Sequence, residues 1–412
     1  MDVLYQCCCG LDVHAKTVVA CLIKDGQKQT RTFSAMTEDL LALSDWLGAH
    51  GCTHVAIEST GVYWRPVFNL LQGLFEVILV NARHIKAVPG RKTDVRDSEW
   101  LADLLRHGLL KASFIPPHEI REMRELTRYR QTLVKSQAAV TNRIQRLLEC
   151  GNIKLGQVAS DVMGVSGRAM LHALAAGETN GQTLAAFARG QLKRKTEELR
   201  RALTGRLSAA QRFVLQELLD RYDELERALD KVNGHIEQEM ATSPEPLLGP
   251  AVELVQTVPG VGRQVAEVVV SEIGVDMTRF PTAKHLASWA GMCPGSHESA
   301  GKSTSGKTRQ GSKNLRAALV QAAWAATHTK GTYLAAQYRR LVKRKGRKKA
   351  LVAVGHSLLV ILFHMLARKV AYQELGGDYF ERQHTATRSR RLLRQLAALG
   401  IKVTVQPQPT PV

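Results

Sequence analysis

Between Ser299 and Tyr372 the chain has no aspartate and no glutamate, yet this stretch holds sixteen lysines and arginines. A carboxylate-free stretch of that length repels itself unless a polyanion neutralises it. The missing acids argue against an ordinary mixed-charge surface and for nucleic acid, held through phosphates with release of counterions. The whole chain leans the same way, with a formal net charge of +20 over 412 residues. Cysteine offers no framework either. There are seven, an odd number, and no Cys-x-x-Cys pair, which argues against structural zinc and a disulfide scaffold. Cys7, Cys8 and Cys9 adjoin in an apolar run and read as small buried hydrophobes in a reducing compartment, the cytoplasm. No apolar run approaches the ~18 residues of a membrane span, and the start lacks a basic-then-apolar leader, so no membrane partner is expected. Aromatics are few, at 5%, but 44% of residues are apolar, enough for two or three globular domains.

The N-terminal part alternates in period. Tyr5 to Val13, Thr17 to Ile23 and Gln29 to Phe33 read as strands, with Asp25-Gly26 as a hairpin turn. A helix from Thr37, a strand over His54 to Glu58, a helix over Gly61 to Leu74 and a strand over Phe75 to Val80 follow. Lys92-Thr93-Asp94-Val95-Arg96-Asp97 then opens a last helix, on which Trp100, Leu101, Leu104 and Leu105 recur at helical spacing. Three strands followed by alternating helices and strands is the ribonuclease H-like order, with antiparallel strands first and parallel ones after. In such a sheet Asp12, ending the first strand, lies beside Glu58, ending the fourth. Asp94 and Asp97, three apart on one helical face, can be brought against both. Four converging carboxylates repel one another unless a divalent cation binds, and hard oxygen ligands suit Mg²⁺ or Mn²⁺. A metal pair about 4 Å apart is the usual device for phosphoryl transfer. Asp103 points away from the Asp94 face and is left out.

His118 to Leu148 is helical and rich in Arg and Lys. Leu215, Leu218, Tyr222, Leu225, Leu229, Val232 and Ile236 step by three and four, the pattern of a coiled coil made between subunits or folded back on the first long helix. Val258-Pro259-Gly260-Val261-Gly262 between two helices resembles a helix-hairpin-helix, in which Gly260 and Gly262 would let backbone N–H groups reach a DNA phosphate. Gly291 to Arg316 is a Gly- and Ser-rich basic loop feeding an Ala-rich helix, with Lys302, Lys307, Arg309, Lys313 and Arg316 as phosphate ligands. Its Gly301 to Thr308 spells the nucleotide-loop string, but no strand leads into it, so a nucleotide site is rejected. A serine beside such cations can attack phosphorus, and Ser299, Ser303 and Ser305 are all candidates. Lys343, Arg344, Lys345, Arg347, Lys348 and Lys349 read as a phosphate-contacting loop. From Gly376 the chain is polar and basic, and disorder is expected.

Gly10-Leu11-Asp12-Val13-His14, Glu58-Ser59-Thr60-Gly61-Val62-Tyr63 and the Lys92 to Asp97 stretch resemble the DEDD transposases of the insertion-sequence-110 family. Ala290 to Arg316 resembles the C-terminal domain of the same family, and Pro294-Gly295-Ser296-His297-Glu298-Ser299-Ala300-Gly301-Lys302 is closest to its 1111 subgroup. The resemblance implies a RuvC-like domain over residues 1–117 and a helical coiled-coil linker for oligomerisation over 118–245. A mainly helical transposase domain over 246–375 and a basic, disordered tail over 376–412 complete it. It implies Asp12, Glu58, Asp94 and Asp97 as the metal-binding tetrad, and it singles out Ser299 as the nucleophile that forms a covalent phosphoserine. It also implies element-end and target DNA as substrates and an element-encoded guide RNA. Because the coiled coil separates the two candidate sites, they are expected to meet between subunits of a homodimer or homotetramer. The alternatives are a RuvC-like structure-specific nuclease without serine chemistry, and a non-catalytic nucleic-acid-binding protein.

Overall fold

Six consecutive residues of β1 (Cys7–Val13) are buried because this strand runs down the middle of a sheet covered on both faces. The computed structural model describes residues 2–59, 61–81, 96–242, 248–294, 298–299, 302–303, 308 and 310–401. The chain divides into two units, Met1–Ile115 and Pro116–Val412. In the first, β1 is followed by β2 (Thr17–Lys24), β3 (Gln27–Ser34), α1 (Thr37–Ala49), β4 (His54–Glu58), α2 (Trp64–Leu71), β5 (Glu76–Val80) and α3 (Arg96–Arg106). The strand order is β3-β2-β1-β4-β5, antiparallel across the first three and parallel from β1 through β4 to β5. This fits the ribonuclease H-like arrangement expected from the sequence. Asp25 and Gly26 close the β2–β3 hairpin with φ of 48° and 86°, the positive values such a two-residue turn needs.

The sheet sorts its side chains by the two-residue period of a strand. Cys9, Leu11 and Val13 pack with Leu43, Leu47, Val67 and Leu71 of α1 and α2. Cys8 and, from neighbouring strands, Cys21, Ala56 and Val80 pack on the other face against Leu101, Ala102, Leu104 and Leu105 of α3. Burial pushes the Cys8 thiol up to about 12, so it serves as an inert hydrophobe.

The second unit opens with α4 (His118–Cys150). The short helices α5 (Leu155–Val158), α6 (Val165–Ala175), α7 (Gly181–Ala185) and α8 (Thr196–Ala202) lead to the long α9 (Ala209–Thr242). Leu215, Leu219 and Leu225 of α9 share a core with Leu133, Val140, Ile144 and Leu148 of α4. The heptad-like stripe therefore has a partner in its own chain, an alternative that periodicity could not choose. Then come α10 (Leu248–Gln256), α11 (Arg263–Ile273), α12 (Ala283–Trp289), the paired strands β6 (Glu298–Ser299) and β7 (Lys302–Ser303), α13 (Lys313–His328), α14 (Tyr333–Lys345), α15 (Arg347–Arg368) and α16 (Tyr379–Ala398). α15 is long and apolar enough to cross a membrane by length and composition, but half of that window is buried inside the protein. Ala350, Val354, Leu358, Leu362 and Leu366 make it a core helix of this unit.

Two expectations are corrected here. The basic run Lys343 to Lys349 is no loop: it is the last turn of α14 and the first turn of α15, joined at Gly346. Lysine and arginine are good helix formers, and only Gly346, at φ 75°, interrupts them. The tail is not disordered throughout, since α16 occupies Tyr379–Ala398. Its start is anchored by aromatic contact: Tyr333 meets Tyr379 and stacks on Phe380, with the Arg340 guanidinium over the Phe380 ring. Residues 402–412 lie outside the described residues.

Candidate functional site

Gly10 decides how the first unit's acidic residues are arranged. A Cβ at Gly10 would stand 2.3 Å from the Ser98 carbonyl oxygen and 2.5 Å from the Ala102 amide nitrogen, so α3 rests directly on the backbone of β1. Two residues earlier on the strand, the Cys8 thiol meets the Ala102 carbonyl oxygen at 3.7 Å. The helix therefore runs antiparallel to β1, and its first turn lies toward the end of the strand that carries Asp12. Cys8, Gly10 and Asp12 share the face that α3 covers. On β4 that face belongs to Ala56, and so to Glu58. β1 and β4 pair in register with Leu11 opposite Ile57, which sets Asp12 beside Glu58 on strands ~4.8 Å apart. Asp97 sits in the first turn of α3. Three of the four carboxylates expected from the sequence thus fall at one end of one sheet face. Asp12 is 8% exposed, and Glu58 and Asp97 are half-buried. Asp94 lies outside the described residues.

His14 was not assigned a role from the sequence. Its Nε2 stands 3.2 Å from Asp12 Oδ2, an ion pair when the ring is protonated. It follows the strand that carries Asp12, in the turn to β2, and its place two residues past Asp12 was the available signal. Asp103 engages Lys28 at 2.5 Å, consistent with leaving it out. Among the described residues, no three His, Cys, Asp or Glu side chains form a group that could hold a metal ion. The donors present at this end of the sheet are hard carboxylate oxygens, the chemistry of a Mg²⁺ or Mn²⁺ site.

In the second unit, Ser299 lies in β6, paired with Lys302 of β7. The base of this loop is closed by a bridge between Pro294 and Thr308. Gly311 packs against the Ala290–Gly291 backbone so closely that a Cβ would stand 2.3 Å from Ala290 O. Arg316 donates to Gly291 O at 2.5 Å. Ser312 caps α13 by accepting from the Leu315 amide, and its hydroxyl donates to Glu272 Oε2 at 3.0 Å. Glu272 is 1% exposed, and Arg128 of α4 holds it through two hydrogen bonds of 2.7 and 3.0 Å. Beside it Arg130 pairs with buried Glu267 at 2.5 Å. These contacts link residues about 140 positions apart, and no local sequence pattern announces them. They tie the long helix α4 to the start of α13 and so to one end of the Ser299 loop.

The basic residues divide. Lys343, Arg344, Lys345, Arg347, Lys348 and Lys349 are all exposed around the α14–α15 corner. Three of them open α15, at the positive end of its dipole, where cations are unfavourable and an anion is welcome. Lys313 is exposed at the start of α13, and Arg316 is half-buried. Lys307 and Arg309 lie outside the described residues, and Lys302 is in β7. Gly260 and Gly262 lie between α10 and α11 as expected, but they differ. A Cβ at Gly260 would stand 2.4 Å from the Ala326 amide nitrogen, so this glycine serves the close packing of the turn on α13. Gly262 is exposed with open space around it.

Two family models match the chain, one described as "Transposase" over residues 9–151, the other as "Transposase IS116/IS110/IS902 family" over residues 252–339. Together they span more than half of it. The four candidate carboxylates fall within the first match and Ser299 within the second. The chain is 25% identical to the transposase for insertion sequence element IS1111A of Coxiella burnetii, over 89% of this chain and 87% of that protein. It is 26% identical to the pilin gene-inverting protein of Moraxella bovis, over 87% and 94% respectively. A probable family 20 transposase of Pseudomonas aeruginosa is 24% identical, over 77% and 85%.

Proposed function

Since the chain belongs to the IS110 family of transposases, we propose that it excises and inserts its own DNA element by cleaving and rejoining strands with Ser299 as nucleophile. The observation that carries the reading is the meeting of Asp12 and Glu58 on the sheet face toward which the first turn of α3 is directed. Asp12, Glu58, Asp94 and Asp97 would hold Mg²⁺ or Mn²⁺, which supplies charge neutralisation at the transferring phosphate. Asp12 and Glu58 can do so from rigid strand ends, and His14 can trim the charge on Asp12 when protonated.

Ser299 Oγ attacks a DNA phosphorus, losing its proton. The P–O bond to one deoxyribose breaks, and that oxygen leaves as a hydroxyl. The phosphoserine ester conserves the bond energy, so a hydroxyl from the partner strand can reverse the step and join new ends. Lys302, Lys307, Arg309, Lys313 and Arg316 stabilise the charge that develops on phosphorus. The corner from Lys343 to Lys349 and the turn at Gly262 grip phosphates away from the chemistry. Part of the +20 charge serves an element-encoded guide RNA, which leaves sequence choice to base pairing. The working form is a homodimer or homotetramer, acting in the cytoplasm on element ends and target DNA. The domain scheme is the RuvC-like 1–117, the helical 118–245, the transposase 246–375 and the basic 376–412, with a helix-hairpin-helix-like element at Gly260–Gly262.

The test is cleavage of the element's junction DNA with its transcript, in Mg²⁺ and then in a chelator, using wild type and Asp12→Asn. Strand transfer that needs Mg²⁺ and is lost in Asp12→Asn supports the reading. Binding without any metal-dependent strand breakage would leave only a nucleic-acid-binding protein.

A further inference from the structure

α15 turns part of its surface away from the core, and Val360, Ile361 and Met365 there form the floor of a cleft of about 580 Å³. Its opposite wall is the extended segment 370–375, which is firmly pinned. The Tyr372 amide donates to Thr257 Oγ1 at 3.0 Å, and the Tyr372 hydroxyl donates to Glu374 Oε2 at 3.2 Å. Glu374 Oε1 in turn accepts from the amides of Tyr333 and Gly376 at 2.7 and 2.8 Å. Tyr333 and Tyr372 line the space, and Tyr333 is fixed by stacking on Phe380. At the rim stand His364, Arg368 and Gln373.

The cleft thus combines an apolar floor, two held aromatic rings and a rim of hydrogen-bonding and cationic groups. Among the described residues no carboxylate lines it, and both oxygens of nearby Glu374 are already engaged. At one end Ser357 accepts from Gln337 Nε2 at 2.8 Å. Gln337 Oε1 is left buried with no partner among the described residues, an acceptor still wanting a donor. Next along the helix, His356 reaches toward Cys293 (Nδ1 to Sγ 4.0 Å), just ahead of the Ser299 loop.

We propose that this cleft receives an unpaired nucleobase of a strand bound along the basic C-terminal unit. A base has two apolar faces for stacking on tyrosine and an edge of donors and acceptors. Its phosphate suits Arg368 at the rim. The surrounding stretch without acids favours a polyanion over a peptide or lipid chain. The inference rests on the reading that this unit binds nucleic acid.

The test is photocrosslinking with a single-stranded deoxyoligonucleotide carrying one 5-iodouracil, followed by peptide mapping. Affinities for the same strand, an abasic version and a duplex are measured alongside. Crosslinks are expected at Tyr333 or Tyr372. Ala371→Trp, which fills the cleft from its exposed wall, should weaken single-strand binding about tenfold, as should the abasic strand. Duplex binding and the melting temperature should not change. Tyr372→Phe should bind as wild type and Tyr372→Leu should not. Crosslinks confined to Lys313, Arg316 and residues 339–349, with Ala371→Trp binding normally, would overturn the cleft while leaving nucleic-acid binding intact. Absence of any salt-dependent binding would overturn the underlying reading, and the cleft with it.

Discussion

Replacing Gly10 by alanine should push α3 off the sheet. The new Cβ would stand 2.3 Å from the Ser98 carbonyl and 2.5 Å from the Ala102 amide. Both are backbone atoms of a helix, which cannot rotate away as a side chain would. Ordinary contact requires a retreat of roughly 1 Å, which costs packing all along the Leu101, Ala102 and Leu105 seam. The expected loss is about 1–3 kcal/mol, or roughly 4–8 °C in the melting of this unit per kcal/mol. Function should suffer more than stability, because the first turn of α3 carries Asp97 and a shift of about 1 Å can cost about 100-fold in rate. Differential scanning calorimetry and a cleavage time course on junction DNA read the two effects. Gly48→Ala is the control, since Gly48 lies in α1 with nothing within 4 Å of the added carbon, and it should be neutral or slightly stabilising. If Gly10→Ala melted and cleaved like wild type, the seat of α3 on β1, and the convergence of acids derived from it, would be wrong.

Breaking the buried pair by Arg130→Met should lower stability by about 3–5 kcal/mol, because Glu267 would stay buried with only the more exposed Arg263 as partner; urea denaturation measures this. Burial holds the His356 imidazole below its usual 6.5. The native state therefore prefers the neutral ring, so its contribution is present at neutral pH and fades as pH falls below about 6.5. The drop in melting temperature between pH 7.5 and 5.5 should accordingly be smaller in His356→Gln than in wild type. Neutralising all six cations from Lys343 to Lys349 should reduce the slope of log affinity against log salt on duplex DNA by up to about 5, and unchanged salt dependence would remove this corner from the interface.

The sheet was legible because each strand shows its period and its turn. Asp25-Gly26 announced a hairpin, and the place of Glu58 beside Asp12 followed from strand order alone. What escaped was set by contacts between distant residues. Arg128 and Glu272 are 144 residues apart, and neither is unusual in its own neighbourhood. The partner of the α9 stripe was undecidable from periodicity, because a heptad pattern fits α4 and another subunit equally well. Lys343 to Lys349 carries no apolar spacing to mark a helix, and a helix end exposed all round needs none. At Gly260 the missing Cβ makes room for the backbone of α13, a distant contact that the local Pro-Gly-Val-Gly motif does not announce. The start of α16 is held by Tyr333 and Arg340, an anchor no reading of a basic tail would supply.

The most direct test of the central claim is trapping a protein–DNA adduct on a denaturing gel. Wild type, Ser299→Ala and Asp12→Ala are incubated with Mg²⁺, the element's junction DNA and its co-transcribed RNA. The account predicts a covalent adduct in wild type that disappears in Ser299→Ala. Metal-dependent cleavage that persists in Ser299→Ala and vanishes in Asp12→Ala would contradict it, leaving a carboxylate nuclease without serine chemistry.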